Sequence, residues 1–292
     1  MNNEMTAKTP RQRFREQLSK NVCLFPASIF DPMSVRIAED IGFEVGMLAG
    51  SVASMTVLGA PDLIVLSLTE FADQARRICR ASDLPLIVDA DHGYGNALNV
   101  ARTVQELETA GVAALSIEDT ILPRPYGADG TASLVSIDEG IGKLRAALDA
   151  RRDPDLVIIG RTSAPATNGI ADAVARVDAY QDAGVDMIML IGVKTRADLE
   201  TIASRVRIPI MLGGAGDALR DVDYLASLGV RVCLTGHQPF MAAMQAVYDA
   251  LKALRSGVNP AEVAVNVDAA MIRNTTRDDD YRRSIERYLG AG

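Results

Sequence analysis

The stretch that decides the fold is LPLIVDADHGYGNALNVARTVQELETAGVAALSIEDT, residues 84–120. An apolar run at residues 86–90 precedes a glycine-containing turn and an amphipathic segment, and a second apolar run at residues 113–118 follows Gly111. Two short buried strands joined by one helix form a unit with parallel strands. The polar residues DADHGYGN and EDT therefore lie where the two predicted strands end.

The same alternation continues along the chain and predicts eight strands, at residues 22–27, 45–50, 86–90, 113–118, 156–161, 187–191, 208–212 and 230–235. Eight such units predict an α/β fold, a (β/α)8 TIM barrel, and an open doubly wound sheet is the alternative. We expect a single barrel domain over residues 1–292, with an N-terminal helix at 1–20 and a C-terminal helical extension at 257–292. That extension is either a solvated appendage or a segment that docks on a neighbouring subunit.

Composition narrows the partners and the compartment. A formal net charge of -8 at pH 7 argues against nucleic acid or an anionic membrane as a partner, because both would repel the chain. Cys23, Cys79 and Cys233 lie in apolar stretches without metal-ligand spacing, so we expect reduced core thiols. No apolar run has the length of a signal peptide or a membrane span, and a cytoplasmic protein is expected.

Three acidic residues follow two neighbouring strands. Asp89 and Asp91 emerge from the third predicted strand, and Glu118 from the fourth. In an extended chain the spacing of two puts Asp89 and Asp91 on the same side, at the end of the barrel where active sites lie. Hard oxygen donors favour Mg²⁺, or Mn²⁺ as a substitute. Helix capping is the alternative explanation for Asp89, Asp91 and Asp119.

Other charged and polar residues lie at the same rim. Arg161 ends the fifth strand, and its charge requires an anion there: a substrate carboxylate, or a structural pair with Glu118 or Asp119. Both histidines of the chain, His92 and His237, are at this rim, which favours a functional role, more so for His237. No nucleophile elbow, phosphate-binding loop or dinucleotide fingerprint is present.

Four motifs with their spacing intact carry a family resemblance over residues 25–250: FDPMSVRIAEDIGFE, AGSVAS, VDADHGYGN and SIEDT. With them, the chain resembles the isocitrate lyase and phosphoenolpyruvate mutase superfamily. Through DADHGYGNALNV, IEDT, the Arg-Thr of the fifth strand and the Gly-His after the eighth, it is most similar to the oxaloacetate decarboxylase branch.

The resemblance implies a set of site residues. Asp89 would bind Mg²⁺ directly or nearly so, and Asp91 and Glu118 would hold its waters. The implied substrate contacts are Ser51, Arg161 and His237. Catalytic roles are also implied for Arg161 and His237.

One loop separates the branches of this superfamily. The loop after the fourth strand has a catalytic cysteine in the lyases and a lysine in the enzymes that cleave C–P bonds. Here it reads LPRPYGADGTASLVS, without Cys, His or Lys. The resemblance therefore implies Mg²⁺-dependent decarboxylation of oxaloacetate to pyruvate and CO₂ through a metal-stabilised enolate, a reaction that needs charge stabilisation and a later proton.

Three alternatives remain at this point: a C–C lyase of the methylisocitrate or alkylmalate type, a C–P bond enzyme acting on phosphonopyruvate, and a non-enzymatic protein that binds a metal and a 2-oxo acid. The implied partners are a small 2-oxo dicarboxylate and further copies of the chain, in a helix-exchanged dimer or tetramer.

Overall fold

The computed structural model describes residues 7–263 and 267–290. Eight parallel strands pair in sequence order within one sheet. Leu24 closes the ring: its N–H donates to the carbonyl of Arg231 and its own carbonyl accepts from Cys233, both at 2.9 Å. This order confirms the barrel and excludes the open doubly wound sheet. The strands are β1 Ala27–Ser28, β2 Gly46–Leu48, β3 Leu86–Asp89, β4 Ala114–Glu118, β5 Val157–Thr162, β6 Met187–Leu190, β7 Ile210–Leu212 and β8 Val230–Cys233.

Helices surround the strands, and local sequence sets their ends. In the helix at Ala97–Ala110, the Asn96 side chain accepts from the N–H of Leu98 at 3.0 Å, and Gly111 ends the helix with φ of +99°. The helices are α1 Pro10–Ser19, α2 Pro32–Ile41, α3 Gly50–Ala53, α4 Leu68–Ala81, α5 Ala97–Ala110, α6 Ile137–Ala150, α7 Ala164–Thr167, α8 Ile170–Ala183, α9 Arg196–Ala203, α10 Val222–Ser227, α11 Gln238–Arg255, α12 Ala269–Thr276 and α13 Asp278–Leu289.

Alternate residues of each strand face opposite sides of the barrel wall. In β4, Leu115 and Ile117 pack against the helices, whereas Ala114 belongs to the apolar interior of the barrel. The same period of two turns Glu118 inward, where it lines a cavity at the end of the barrel. In β4 the inward polar residues are therefore Ser116 and Glu118, in the second half of the strand.

The N-terminal helix closes the opposite end of the barrel. Phe14 of α1 is fully buried in the interior cluster. Arg11 Nε donates to the carbonyl of Val112 at 2.9 Å and Arg15 Nε to that of Asp155 at 3.0 Å, just before β4 and β5. The expected helix is thus present from residue 10; residues 1–6 lie outside the described part. The cavity lies at the other end of the barrel, where the strands have their carboxyl ends.

The predicted bounds of the first strand, 22–27, are wrong. The ladder to β2 begins with the N–H of Ala27, which donates to Val45 at 3.0 Å. Pro26 precedes it and has no N–H to contribute. Within residues 22–26, Leu24 forms the closing bridge to β8 instead.

The C-terminal extension lies on this chain's own barrel. Arg36 of α2 donates to the carbonyl of Thr275 at 3.2 Å, and Arg277 pairs with Glu39 and Asp40 at 3.1 and 2.8 Å. These contacts exclude a freely solvated appendage for α12. Helix α13 keeps its apolar residues exposed: Tyr281, Ile285, Tyr288 and Leu289.

The cysteines lie in the barrel core, as expected. Cys23 and Cys233 are buried and Cys79 is half-buried, and none is bonded to another cysteine. Burial raises the pKa of the Cys23 thiol to about 12, so it stays protonated at neutral pH. Separately, none of the helices in the described part combines the length and the apolar composition that crossing a membrane requires.

Candidate active site

A cavity of about 410 Å³ opens at the carboxyl ends of the strands. Its wall includes apolar side chains such as Met47, Met189 and Leu234 at inward positions. All six site residues predicted from the sequence line it: Ser51, Asp89, Asp91, Glu118, Arg161 and His237. The sequence therefore predicted which residues come together.

Arg161 bridges two of the acidic residues. Its Nη1 donates to Asp89, and its Nη2 lies 3.2 Å from Glu118. Ser116 also donates to Asp89, at 2.9 Å, and Thr120 to Glu118, at 2.7 Å. Burial opposes the charge of Arg161, but the two carboxylates outweigh it and raise the arginine's pKa further. Of the alternatives for Arg161, the structural pair with Glu118 is present.

Asp91 reaches the cavity by a different backbone path from the predicted one. Strand β3 ends at Asp89, and Asp91 has φ of +48°, so the expected extended geometry is wrong. Its carbonyl accepts from the N–H of Glu118 at 2.9 Å. A Cβ at Gly50 would lie 2.7 Å from the Asp91 carboxylate, so glycine is needed for this approach. Burial, then Asp89 and Glu118, raise the pKa of Asp91 well above its usual range.

Two further charged residues of the cavity were not predicted. Asp62 lies in the segment between β2 and β3, and Arg124 lies in the loop after β4. Both line the cavity. Burial, followed by the charge of Asp89, raises the pKa of Asp62. Loop residues follow no hydrophobic period, so the sequence pattern could not place these two residues. The one signal for Asp62 was the Pro-Asp turn that contains it, at the active-site end of the barrel.

The donor set fits a hard divalent ion held partly by protein. Within residues 7–263 and 267–290, no three Asp, Glu, His or Cys side chains are close enough to hold an ion by themselves. Mg²⁺ does not need three, because it keeps several waters and binds through one or two carboxylates plus substrate oxygens. Asp89 and Glu118 are already paired with Arg161. Asp91 is buried next to these two carboxylates, so its negative charge is unfavourable unless a cation or a proton neutralises it. The cluster fits an ion with one or two direct carboxylate ligands, and water between the ion and the others.

Only one of the two histidines belongs to the cavity. His237 Nδ1 lies 3.0 Å from Ser28 Oγ, and burial lowers its pKa although Asp89 partly opposes the shift. His92 is buried and is not among the cavity residues. Burial, with a smaller effect of Lys143, lowers its pKa to about 4. The structure thus places His237 at the cavity and His92 outside it.

Helix capping explains none of the acidic residues. Asn96 caps α5, and Ser136 caps α6. Asp119 is buried away from the cavity, where its carboxylate lies 3.1 Å from Arg176 Nη1 and accepts from the Tyr180 hydroxyl at 2.9 Å. It stabilises the barrel wall behind the site.

Known proteins with similar sequences and folds span nearly the whole chain. The family model described as phosphoenolpyruvate phosphomutase matches residues 14–255. Oxaloacetate decarboxylase of Rhodopseudomonas palustris is 52% identical over 286 residues, covering 98% of this chain and 99% of that protein.

Two solved structures share the fold. Phosphonopyruvate hydrolase in complex with oxalate and Mg²⁺ is 28% identical, with a TM-score of 0.81 and coverage of 97% of this chain and 100% of that one. Oxaloacetate acetylhydrolase in complex with the inhibitor 3,3-difluorooxalacetate is 25% identical, with a TM-score of 0.83 and coverage of 97% and 98%. The fold, the cavity residues and these matches agree with the resemblance seen in the sequence, and the chain belongs to the phosphoenolpyruvate phosphomutase family.

Proposed function

We propose that this chain is a carboxy-lyase that converts oxaloacetate to pyruvate and CO₂ with Mg²⁺, or Mn²⁺ as a substitute. The observation that carries the proposal is the composition of the cavity. It groups four carboxylates with Ser51, Arg161 and His237, and no cysteine, lysine or tyrosine is among its described lining residues. A reaction that needs charge stabilisation more than a nucleophile suits this set, and the 52% identical relative carries the same activity in its name.

The reaction requires one bond to break and one proton to arrive. The C3–C4 bond breaks, C4 leaves as CO₂, and the electron pair forms the C2–C3 double bond while negative charge develops on the C2 oxygen. Protonation at C3 then gives pyruvate. A bound divalent ion would supply the Lewis acid that stabilises this charge.

The protein groups hold this geometry. Asp89 would hold the ion directly, and Asp91 and Glu118 would hold its waters. Arg161 fixes Asp89 and Glu118 through its two Nη groups, and it adds fixed positive charge where the enolate oxygen develops. Ser51 contacts the 2-oxo acid end of the substrate.

A comparison of four substrates tests the proposal. Oxaloacetate and its 3-methyl homologue should turn over, whereas phosphonopyruvate and methylisocitrate should not, because the C–P enzymes and lyases need a lysine or cysteine loop. Turnover of either of the last two would support the corresponding alternative. Binding of oxaloacetate without any turnover would support the non-enzymatic alternative.

We expect His237 to assist the reaction without being indispensable. Its lowered pKa keeps the imidazole neutral near pH 7, so it is a weak proton donor and suits a hydrogen bond to the substrate. His237→Ala should raise KM and lower kcat by about 10-fold, since loss of one hydrogen bond costs roughly 1–2 kcal/mol. Steady-state kinetics measure both constants.

Ser28→Ala is the matched control for His237, because it removes only the group that holds the ring. Its effect should be smaller than that of His237→Ala. A loss of about 100-fold or more in kcat for His237→Ala, with enolpyruvate accumulating, would instead make His237 the obligatory proton donor to C3. Wild-type kinetics in His237→Ala would remove this residue from the site.

We also propose a homo-oligomer assembled through α11. In a (β/α)8 barrel the helix after each strand packs against the outside of the barrel. Helix α11 follows β8, but none of its residues is buried in the described chain. Beside its start lies an apolar groove of about 540 Å³ that includes Phe25, Ile37, Ile41 and Phe43. Exchange of the helix between two copies would bury its apolar side chains: Met241, Met244, Val247, Tyr248, Leu251 and Leu254.

Light scattering tests this assembly. The double variant Val247→Glu and Leu251→Glu should reduce the particle mass, because it places charges on the apolar side of α11. Gln245→Glu, at an exposed polar position of the same helix, should leave the mass unchanged. An unchanged mass in the double variant, or a monomeric wild type, would contradict the proposal.

A further inference from the structure

Two arginines reach the cavity, and only one of them is committed to the protein. Both Nη groups of Arg161 face acidic residues, Asp89 and Glu118. The Nε of Arg161 is buried and has no hydrogen-bond partner within the described residues. A substrate carboxylate can therefore accept from Nε, but it cannot take the two Nη groups without displacing Asp89 and Glu118. Arg124 is the only other arginine or lysine among the described lining residues.

Arg124 belongs to a loop that projects over the strand ends, the β4 loop, residues 121–134. Pairing of Thr120 with Leu134, and a hydrogen bond from Ile121 N–H to the Ser133 carbonyl at 2.8 Å, anchor the loop at its base. From this base Arg124 extends to the cavity while remaining exposed to solvent. The loop therefore presents a cation at the mouth of the site.

The donors of Arg124 are available to a ligand. The guanidinium lies against Gly130, with Nη1 3.5 Å from the position of a Cβ there, and it forms no ion pair or hydrogen bond with any residue of 7–263 or 267–290. Asp129, in the same loop, has its pKa lowered mainly by hydrogen bonds from Thr131, and Arg124 contributes least. No acidic residue of the loop neutralises this arginine.

The surplus of acidic residues in the cavity favours such a cation. Four carboxylates line the site: Asp62, Asp89, Asp91 and Glu118. A bound ion would serve the C1 end of a 2-oxo dicarboxylate, and the second carboxylate would still enter a negative region. His237 is largely neutral near pH 7 because its pKa is lowered. Among the described lining residues, Arg124 is the exposed cation that can meet that second charge.

We infer that Arg124 binds the substrate carboxylate farther from the acidic cluster, the C4 carboxylate of oxaloacetate, and thereby selects dicarboxylates over monocarboxylates. The inference rests on the proposed function for the identity of the substrate. An exposed arginine suits this role because it binds weakly. A buried, tightly paired cation would stabilise the carboxylate in the ground state and slow its loss as CO₂.

Calorimetric binding of two ligands tests the inference, in wild type, Arg124→Gln and Arg124→Lys with Mg²⁺ present. Oxalate mimics the two oxygens of the C1 end, whereas 3,3-difluorooxalacetate also has the distal carboxylate. Arg124→Gln should raise the dissociation constant of 3,3-difluorooxalacetate about 10-fold, the scale of one solvent-exposed charged contact. It should leave the dissociation constant of oxalate within about 2-fold of wild type. The affinity of Arg124→Lys for 3,3-difluorooxalacetate should lie between those of wild type and Arg124→Gln.

Unchanged oxalate binding shows that Arg124→Gln is folded. Arg102→Gln, at an exposed arginine of α5 paired with Glu106, should leave both ligands unaffected. Equal weakening of both ligands, or no weakening of either, would overturn the role of Arg124. These dissociation constants need no turnover, so failure of wild type to decarboxylate oxaloacetate would contradict the proposed function separately.

Discussion

Asp89→Asn is expected to lower kcat/KM for oxaloacetate at least ~1,000-fold, because removing the proposed direct ligand forfeits several kcal/mol of Lewis-acid stabilisation. The fold should tolerate the change. Arg161 keeps its pair with Glu118, and an amide oxygen can still accept from Ser116. Loss of one negative charge also relieves Asp91 and Asp62, whose pKa values Asp89 helps to raise. This relief partly offsets the loss of the ion pair between Asp89 and Arg161, so the melting temperature should fall less than in Asp119→Asn.

Asp119→Asn is the matched control, and it should have the opposite profile. The carboxylate of Asp119 is buried against Arg176 and Tyr180 outside the cavity. Breaking a buried ion pair should cost about 3 kcal/mol of unfolding free energy, since Asp172 still partners the arginine. In a chain of 292 residues that corresponds to a melting temperature roughly 5 °C lower. Equal losses of kcat/KM in the two variants would mean that the wrong carboxylate has been assigned to the ion.

Removal of divalent ions should reduce turnover to the rate of the uncatalysed reaction. The reason is that the acidic cluster provides hard oxygen donors, and no lysine lines the cavity within the described chain to replace an ion as electron sink. Dialysis against a chelator followed by an assay measures the loss, and Mg²⁺ or Mn²⁺ should restore the rate. Because both ions decarboxylate oxaloacetate slowly in solution, each rate needs an enzyme-free control.

Binding of the ion can be followed without catalysis. At about 100 times its dissociation constant, an ion that binds only the folded state stabilises it by about 2.7 kcal/mol. Mg²⁺ should therefore raise the melting temperature of wild type, and the rise should be smaller in Asp89→Asn. Full activity of the metal-free enzyme, or an equal rise in both proteins, would refute the metal site.

The barrel could be predicted because its strands alternate regularly with helices. Buried parallel strands produce continuous apolar runs, and these runs located all eight strands. The bounds of the first strand were wrong because one residue, Pro26, interrupts the hydrogen-bond ladder without changing the apolar pattern. Strand order along a barrel follows chain order, so the position of each strand end was predictable as well.

The site was predictable where residues belong to strand ends, and less so elsewhere. Inward positions at the ends of β3, β4 and β5 brought Asp89, Glu118 and Arg161 together. Arg124 and Asp62 lie in loops, whose paths depend on turns and side-chain packing that have no hydrophobic period. The left-handed backbone at Asp91 was likewise unpredictable, because nothing in DADHGYGN distinguishes an extended residue from a turn.

Identification of the products of oxaloacetate tests the central claim most directly. Wild type, Asp89→Asn and an enzyme-free sample, each with the same Mg²⁺ concentration, would be followed by NMR. We expect pyruvate as the organic product in all three samples, formed far faster with wild type than in the other two. Oxalate and acetate as the products, or a wild-type rate equal to that without enzyme, would contradict it.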